Sequence, residues 1–324
     1  VGTGPYRIVQ FDRNKGVIAE RFAGYTGDRR APIKRIHGLP IPDKQSQIAE
    51  FLTGNVDVLR NPPRDSANSL GSNPKFKITP VKSFTIGYFS LDAVNRSGRK
   101  ELTDPRVRKA VFMAINRDAL RKEIIPGGLV AEKLDALCFR AIQGCGYSTK
   151  PVDFDPAAAK KLLAEAGHPN GFDLKLVAFA SMRDAGLAIA GDLRKIGIRT
   201  DVQVTNTVTT RKLRSGGKIE AYVGLYPGGA LPDSSNMLRI FFMAKSRDYW
   251  RDPVVHAAVR KGSSMHDDKA RRATYAKAFD QINNKHYMLP ISSLPILWVH
   301  TAQVRIEPQT LNDTETHMSD FFWN

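Results

Sequence analysis

The segment best suited to bind a ligand is a loop of small and rigid residues at 224–236. It follows a predicted strand and precedes a helix that should begin near Asp233. Its three glycines and two prolines shape a turn whose backbone amides are free to bond a ligand. The N-terminus of the helix behind it favours an anion or a carboxylate. An ordinary strand-to-helix connection has the same composition, so both interpretations remain open.

Motifs for catalysis or metal binding are absent from the sequence. The seven histidines are dispersed, and His256 lies in an apolar helical pattern that indicates packing. Residues 2–6 lack the lysine and the following helix of a phosphate loop, and no GxSxG motif occurs. The acidic pair Asp267-Asp268 needs no role beyond opening a helix. We therefore expect no cofactor, no metal and no enzymatic activity.

Two cysteines, Cys138 and Cys145, lie in a glycine-containing stretch that should be a loop. Their spacing allows a small disulfide in an oxidising compartment, and two free thiols in a reducing one. Neither the CxxC redox spacing nor a zinc-binding spacing is present. The two cysteines are therefore expected to be either a structural bridge or inert thiols.

The net charge of +17 over 324 residues raises the question of an anionic partner. The basic residues come in short scattered groups, such as Arg106–Lys109 and Arg211–Arg214, which are typical of solvated helix faces. They do not alternate with aromatic residues as a base-stacking platform requires, so we expect no nucleic-acid binding. The longest apolar tracts, such as Leu294–Val299, are far shorter than the ~18 residues that a membrane span needs.

Hydrophobic periodicity predicts an α/β fold. One helix is expected at Asp43–Leu52. Three more should begin at Asp-Pro pairs, in which aspartate caps the helix and proline takes its first position; these pairs stand at 104–105, 155–156 and 252–253. Residues 172–225 alternate strand, helix, strand, helix, strand. Such alternation indicates a largely parallel or mixed sheet covered by helices, with ligands bound at loops beyond the strand ends.

A series of short motifs runs through the whole chain in a fixed order. They are GTGPY at 2–6, ERF at 20–22, FLTGNVDV at 51–58, FTIGYF at 84–89, DPRVRKA at 104–110, NRDAL at 116–120, KKLLAEAG at 160–167, KIGI at 195–198 and PDSSN at 232–236. Each motif alone is weak, but their order is specific. It resembles the family 5 extracellular solute-binding proteins, the dipeptide-, oligopeptide- and nickel-binding proteins of ABC importers.

The resemblance implies an α/β, periplasmic-binding-protein-like two-lobe fold of type II, with mixed sheets flanked by helices. Because the family's proteins begin well upstream of the GTGPY motif, it also implies that the N-terminal part of lobe one is missing. Residues 1–87 and 290–324 are expected to form the remainder of lobe one, and residues 88–289 a complete lobe two. The chain crossings near Tyr88 and Ile291 would form the hinge about which such binders close.

The function implied by the resemblance is the substrate-binding component of an ABC importer, which binds a peptide or related small solute in the interlobe cleft and delivers it to the permease. The location would be periplasmic, or cell-surface as a lipoprotein, with the signal peptide removed. A monomer is expected, able to associate with its own missing N-terminal part. The alternatives are a fragment that no longer binds solute alone, and a binder of a metal chelate, a sugar or an opine-like compound. From another class, an enzyme or a basic nucleic-acid-binding domain on a similar sheet is the remaining alternative.

The residues expected to contact the ligand lie around the predicted strands and the 224–236 loop. They are Tyr88, Phe89, Arg183, Tyr222, Tyr226, Gly228, Asp233 and Asn236. The aromatic side chains would pack against the ligand, and Arg183 would hold a carboxylate or phosphate unless it lies on a helix surface.

One departure from the family bears on the ligand. In peptide-binding members, an aspartate four residues before the proline of this loop pairs with the ligand's α-amino group, and here that position is Gly228. A buried ammonium without a carboxylate partner loses a charge-assisted hydrogen bond and stays poorly solvated. The sequence therefore disfavours a plain peptide and favours a modified or anionic solute, a sugar or a metal chelate.

Overall fold

The computed structural model describes residues 2–28, 31–128, 130–228, 233–308 and 316–324. Residues 229–232 of the predicted ligand loop therefore lie outside the described residues. The chain forms two compact units: unit 1 is Val1–Ser83 with Pro295–Asn324, and unit 2 is Phe84–Leu294.

Strands and helices alternate through most of the chain. The strands are β1 (Tyr6–Asp12), β2 (Gly16–Arg21), β3 (Arg35–Gly38), β4 (Val58–Arg60), β5 (Phe76–Val81), β6 (Thr85–Leu91), β7 (Asp173–Phe179), β8 (Arg199–Thr205), β9 (Ala221–Pro227), β10 (Met288–Ser293), β11 (Ile296–Thr301), β12 (Val304–Ile306) and β13 (Phe321–Trp323). The helices are α1 (Lys44–Leu52), α2 (Arg64–Gly71), α3 (Pro105–Met113), α4 (Arg117–Ala119), α5 (Pro156–Glu165), α6 (Arg183–Lys195), α7 (Thr207–Ser215), α8 (Ser234–Leu238), α9 (Pro253–Ser263) and α10 (Asp268–Asn284). Short π-helical turns at Leu120–Ile124 and Arg239–Met243 continue α4 and α8.

The helix starts follow the capping chemistry of the sequence. Asp104, Asp155 and Asp252 each stand immediately before a helix whose first residue is proline, as predicted. Each aspartate accepts hydrogen bonds from backbone N–H groups of the first turn, at 2.7 to 3.0 Å. These bonds satisfy donors that have no partner inside the helix, so the local sequence alone fixes where the helices begin.

The described residues of unit 1 form three small sheets and one buried hydrophobic cluster. The sheets have the strand orders β1-β2-β3, β4-β11-β5 and β12-β13. The buried core packs α1 and α2 against the β4-β11-β5 sheet, through side chains such as Phe51, Leu70 and Val299.

Unit 2 is built on a five-stranded mixed sheet of order β10-β6-β9-β7-β8. β7 is parallel to both β8 and β9, and β6 is antiparallel to β9 and β10. The expected mixed sheet is therefore confirmed. The expected crossings near Tyr88 and Ile291 lie a few residues inside unit 2, because β6 and β10 pair with each other there, with Tyr88 opposite Pro290.

Two hydrophobic cores cover opposite faces of this sheet. Tyr88 belongs to the core that contains α8, α9 and α10, whereas its neighbour Phe89 belongs to the core that contains α3, α5 and α6. Successive residues of a strand point to opposite faces, which explains the separation. Among the described residues, the core on the Tyr88 face contains several tyrosines and the core on the Phe89 face contains none.

A disulfide joins Cys138 and Cys145 in the connection between α4 and α5, with Cα atoms 5.7 Å apart. Both cysteines are buried in the same core as Tyr88. Gly144 has φ of +71°, and a Cβ there would lie 2.9 Å from the ring of Tyr275. Glycine is thus required at this position by the backbone and by the packing.

Removal of this disulfide is expected to lower the free energy of unfolding of unit 2 by about 2 to 3 kcal/mol, because the bridge restricts the unfolded chain. The Cys138→Ala, Cys145→Ala variant would be unfolded in urea in a background that carries Trp298→Phe and Trp323→Phe, so that fluorescence reports only Trp250 of unit 2. Reductant should produce the same loss in the parent and none in the double variant. A parent whose stability is unchanged by reductant would contradict the prediction.

Candidate functional site

Three tyrosines share one face of the unit 2 sheet where β6 and β9 are neighbours. The ring of Tyr88 lies 5.8 Å from the ring of Tyr222. Phe241 contacts both Tyr88 and Tyr226, with ring centroids 5.3 and 5.9 Å away. All of these rings are buried, and the structure brings these three predicted ligand contacts together on one face of the sheet.

The guanidinium of Arg214, on α7, lies against this aromatic cluster. Its Cζ atom is 4.5 Å from the ring centroid of Tyr222, and its Nη2 donates a hydrogen bond to the hydroxyl of Tyr88 at 3.1 Å. The backbone carbonyl of Arg214 accepts a hydrogen bond from the hydroxyl of Tyr249 at 3.0 Å, which fixes the end of the helix. Among the described residues, no carboxylate pairs with Arg214.

A cavity of about 270 Å³ opens beside Arg214. Its lining residues are Phe179, Thr207, Thr210, Arg211, Arg214, Tyr222, Leu225 and Arg247. Phe179 is the last residue of β7 and Thr207 is the first of α7, so the cavity lies beyond the C-terminal ends of parallel strands. This edge is where α/β sheets bind their ligands.

The tyrosines of the cluster are neutral. Burial raises the pKa of Tyr88 and of Tyr222 well above the ordinary value for a phenol, and burial raises the pKa of Tyr226 to about 12. Neutral phenols offer hydrogen bonds and ring faces, but they do not neutralise an arginine. The cavity therefore presents a positive, partly aromatic surface.

Gly228 terminates this side of the sheet. Its N–H donates a hydrogen bond to the carbonyl oxygen of Phe84 at 2.9 Å. A Cβ at position 228 would lie only 2.6 Å from that oxygen, so a side chain requires the backbone to move. The local backbone is therefore adapted to glycine and excludes an aspartate in this conformation.

Asp233 and Asn236 are engaged in the structure of the loop. Asp233 caps α8 by accepting a hydrogen bond from the N–H of Ser235 at 2.7 Å. It also forms a two-pronged ion pair with Arg271, whose Nη2 lies 3.0 Å from Oδ1. The side-chain amide of Asn236 donates to the hydroxyl of Tyr226 at 2.8 Å. Asn236 therefore orients a tyrosine of the cluster, whereas the carboxylate of Asp233 is already neutralised.

Two predicted site residues lie elsewhere. Phe89 has no exposed surface and packs against Phe112, on the sheet face opposite the tyrosine cluster. Arg183 is exposed on α6 and pairs with Asp184 at 3.0 Å. The structure thus places Phe89 in a core and Arg183 on a helix surface.

Arg211, Arg214 and Arg247 of the cavity were not among the predicted site residues. The first two were interpreted as a solvated face of a helix. The composition of α7 contains the missing signal: Thr207, Arg211 and Arg214 recur at one-turn spacing, and the helix has few apolar residues to bury. Because a helix packed on a sheet must bury one face, a polar stripe on that face indicates a binding surface.

Comparison with known proteins identifies the family. The model of the bacterial extracellular solute-binding proteins, family 5 middle region, matches residues 1–248. The chain belongs to this family. Its curated relatives include proteins named glutathione-binding protein GsiB: that of Pectobacterium atrosepticum is 34% identical over 178 residues, and that of Escherichia coli K12 is 30% identical over 182 residues. Each alignment covers 54% of this chain and 33% of the relative.

Solved structures of periplasmic binding proteins share the fold of this family 5 chain. DppA of Helicobacter pylori in complex with the peptide STSA superposes with a TM-score of 0.81 at 22% identity, over 99% of this chain and 63% of that one. NikA of Brucella suis in complex with Fe(III)-EDTA gives a TM-score of 0.85 at 18% identity, over 100% and 68%. The chain therefore spans about two thirds of the length of these structures, and their likeness establishes the fold.

The described residues of this family 5 chain lack a membrane-spanning helix and a clustered metal site. None of the helices in that part of the chain is long and apolar enough to cross a membrane. No group of three or more histidine, cysteine, aspartate or glutamate side chains is arranged there to hold a metal ion.

Proposed function

We propose that this chain is part of the substrate-binding component of an ABC importer, located outside the cytoplasmic membrane in the periplasm or at the cell surface. It binds a small solute and delivers it to the membrane permease, without catalysis and without a nucleic-acid partner. The observation that carries the proposal is the cavity at the C-terminal strand edge of unit 2, which three arginines and Tyr222 line, in a chain that belongs to a solute-binding family.

The solute is a peptide or a related small molecule. The names of the relatives support this range, since they mention glutathione, a short peptide, a metal chelate and agropinic acid. The chemistry of the loop narrows this range of solutes, because Gly228 supplies no carboxylate and the nearby Asp233 is paired with Arg271. We therefore propose that recognition does not depend on a free α-amino group.

Calorimetry with matched peptides tests this proposal. Glutathione and the tetrapeptide Ser-Thr-Ser-Ala would each be titrated into the chain with a free and with an acetylated amino terminus. We expect at least one of them to bind, and acetylation to change its affinity by less than about threefold, since a charge-assisted hydrogen bond would give about tenfold or more.

Two loop variants serve as the control for the role of Asp233. Asp233→Asn removes the carboxylate, and Arg271→Gln breaks the same ion pair while the carboxylate stays. A strong preference for the free amine that only Asp233→Asn abolishes would show that Asp233 is the amino anchor and that the loop has been misinterpreted. A chain that binds neither peptide in any form would contradict the proposal that this chain holds the solute.

A further inference from the structure

The cavity beside Arg214 carries positive charge that the fold does not neutralise. Arg211, Arg214 and Arg247 all line it, and none of them forms an ion pair with a described residue. A guanidinium taken out of water without a carboxylate partner costs free energy. The ring of Tyr222 under Arg214 and the hydrogen bond to Tyr88 offset only part of that cost.

The acids nearest to the cavity are engaged elsewhere. A small adjoining cavity of about 10 Å³ reaches Asp92 and Glu220. Asp92 accepts two hydrogen bonds from Ser97 at 2.7 Å, and Glu220 pairs with Arg99 at 3.1 Å. Asp248 accepts a hydrogen bond from a histidine ring at 2.7 Å. Among the described residues, these three acids already have partners of their own, and none of the three pairs with the arginines of the cavity.

We infer that this cavity is the pocket for an oxyanion group, a carboxylate or a phosphate, of the solute. The inference rests on the proposed function and names the class of substrate: a small anionic solute. Guanidinium groups present paired N–H donors that match two oxygens of one oxyanion. Tyr88 and Tyr222 hold Arg214 in place, and the exposed Arg211 of the same helix and the half-buried Arg247 line the same cavity.

The test uses small anions as probes of the full chain. Tyrosines labelled with ¹³C would report binding, because the nine tyrosines give few signals and Tyr222→Phe assigns the one beneath Arg214. Succinate and inorganic phosphate would be titrated separately, to distinguish a carboxylate pocket from a phosphate pocket. We expect at least one of them to shift the Tyr222 signal in a saturable way and to leave that of Tyr6, in unit 1, unchanged.

Charge-removing variants then locate the pocket. Arg211→Gln and Arg247→Gln should each lower the affinity for the anion about tenfold or more, which is the effect expected for a lost charge-assisted hydrogen bond. Lys212→Gln is the matched control, because Lys212 is an exposed cation of the same helix that does not line the cavity. Equal weakening by Lys212→Gln would show a general effect of positive charge and overturn the inference.

A binding experiment with a solute and its uncharged ester distinguishes failure of this inference from failure of the proposed function. Glutathione and its diethyl ester differ in both carboxylate charges, and we expect the ester to bind about tenfold or more weakly. If no solute binds while an anion still shifts the ¹³C signal of Tyr222, the proposed function is wrong and the oxyanion pocket is supported. If the ester binds as tightly as the acid, or neither anion shifts Tyr222, the inference is wrong whatever the solute.

Discussion

Replacing Asp252 by alanine is expected to lower the free energy of unfolding of unit 2 by about 3 to 4 kcal/mol. The loss of a helix cap costs about 1 kcal/mol, and each buried donor left without a partner costs about 1 to 3 kcal/mol more. Both costs apply to Asp252, because it caps a helix and also accepts hydrogen bonds from side chains of other elements.

The contacts of Asp252 explain this expectation. Its Oδ1 accepts hydrogen bonds from the N–H groups of Val254 and Val255 in the first turn of α9, at 2.8 and 3.0 Å. Its Oδ2 accepts from Gln281 of α10 and from the hydroxyl of Tyr287, both at 2.9 Å. One buried carboxylate thus connects the start of α9, the last turn of α10 and the approach to β10.

The chain supplies its own control in a second Asp-Pro cap. Asp155 is exposed and accepts a single hydrogen bond, from the N–H of Ala158 at 2.8 Å, so Asp155→Ala should cost only about 1 kcal/mol. Both variants would be unfolded in urea with Trp250 as the only tryptophan. Equal losses for the two would mean that Asp252 acts as a cap and nothing more.

This pair of residues shows what sequence reasoning can and cannot provide. Both were predicted as helix caps from the same Asp-Pro pattern, and both are caps, because capping depends on the neighbouring backbone alone. The connection of Asp252 to Gln281 and Tyr287 joins residues about thirty positions apart. Nothing in the local pattern specifies such contacts, which depend on how α9 and α10 pack.

The candidate site shows the same division. The alternation of residues along β9 brings Tyr222 and Tyr226 to one face, and a strand pattern predicts that much. The choice between Tyr88 and Phe89 depends on which face of β6 lies toward Arg214 and Tyr222, and the strand pattern does not specify that. Arg214 was not predicted as a site residue, because its position against the aromatic rings results from the packing of α7 on the sheet.

His286 is expected to make unit 2 less stable as the pH falls from about 7 to about 4. Burial, together with the positive charges of Arg108 and Lys109, lowers the pKa of His286 to about 4. The unfolded chain has the ordinary value of about 6.5. Between these two values the unfolded state binds more protons than the folded state, so stability decreases as the pH falls.

The expected size of this effect is about 3 kcal/mol, from a pKa difference of about 2.5 at about 1.4 kcal/mol per unit. It is fully present above about pH 6.5 and is lost as the pH approaches the folded-state value. The surroundings are consistent with a neutral ring: its Nδ1 is buried without a hydrogen-bond partner, and the ring lies edge-on to Phe112 at 6.0 Å.

The variant His286→Asn isolates this contribution. Position 286 has φ of 54°, a left-handed conformation that asparagine tolerates better than other non-glycine residues, so the backbone should be retained while the titrating group is removed.

Urea unfolding at about pH 7 and about pH 4 would give the loss of stability for parent and variant. Other groups that titrate in this range contribute equally to both and cancel in the difference. We expect the parent to lose about 3 kcal/mol more than the variant. Equal losses would mean that His286 is protonated in the folded protein, and that Arg108 and Lys109 do not exclude its charge.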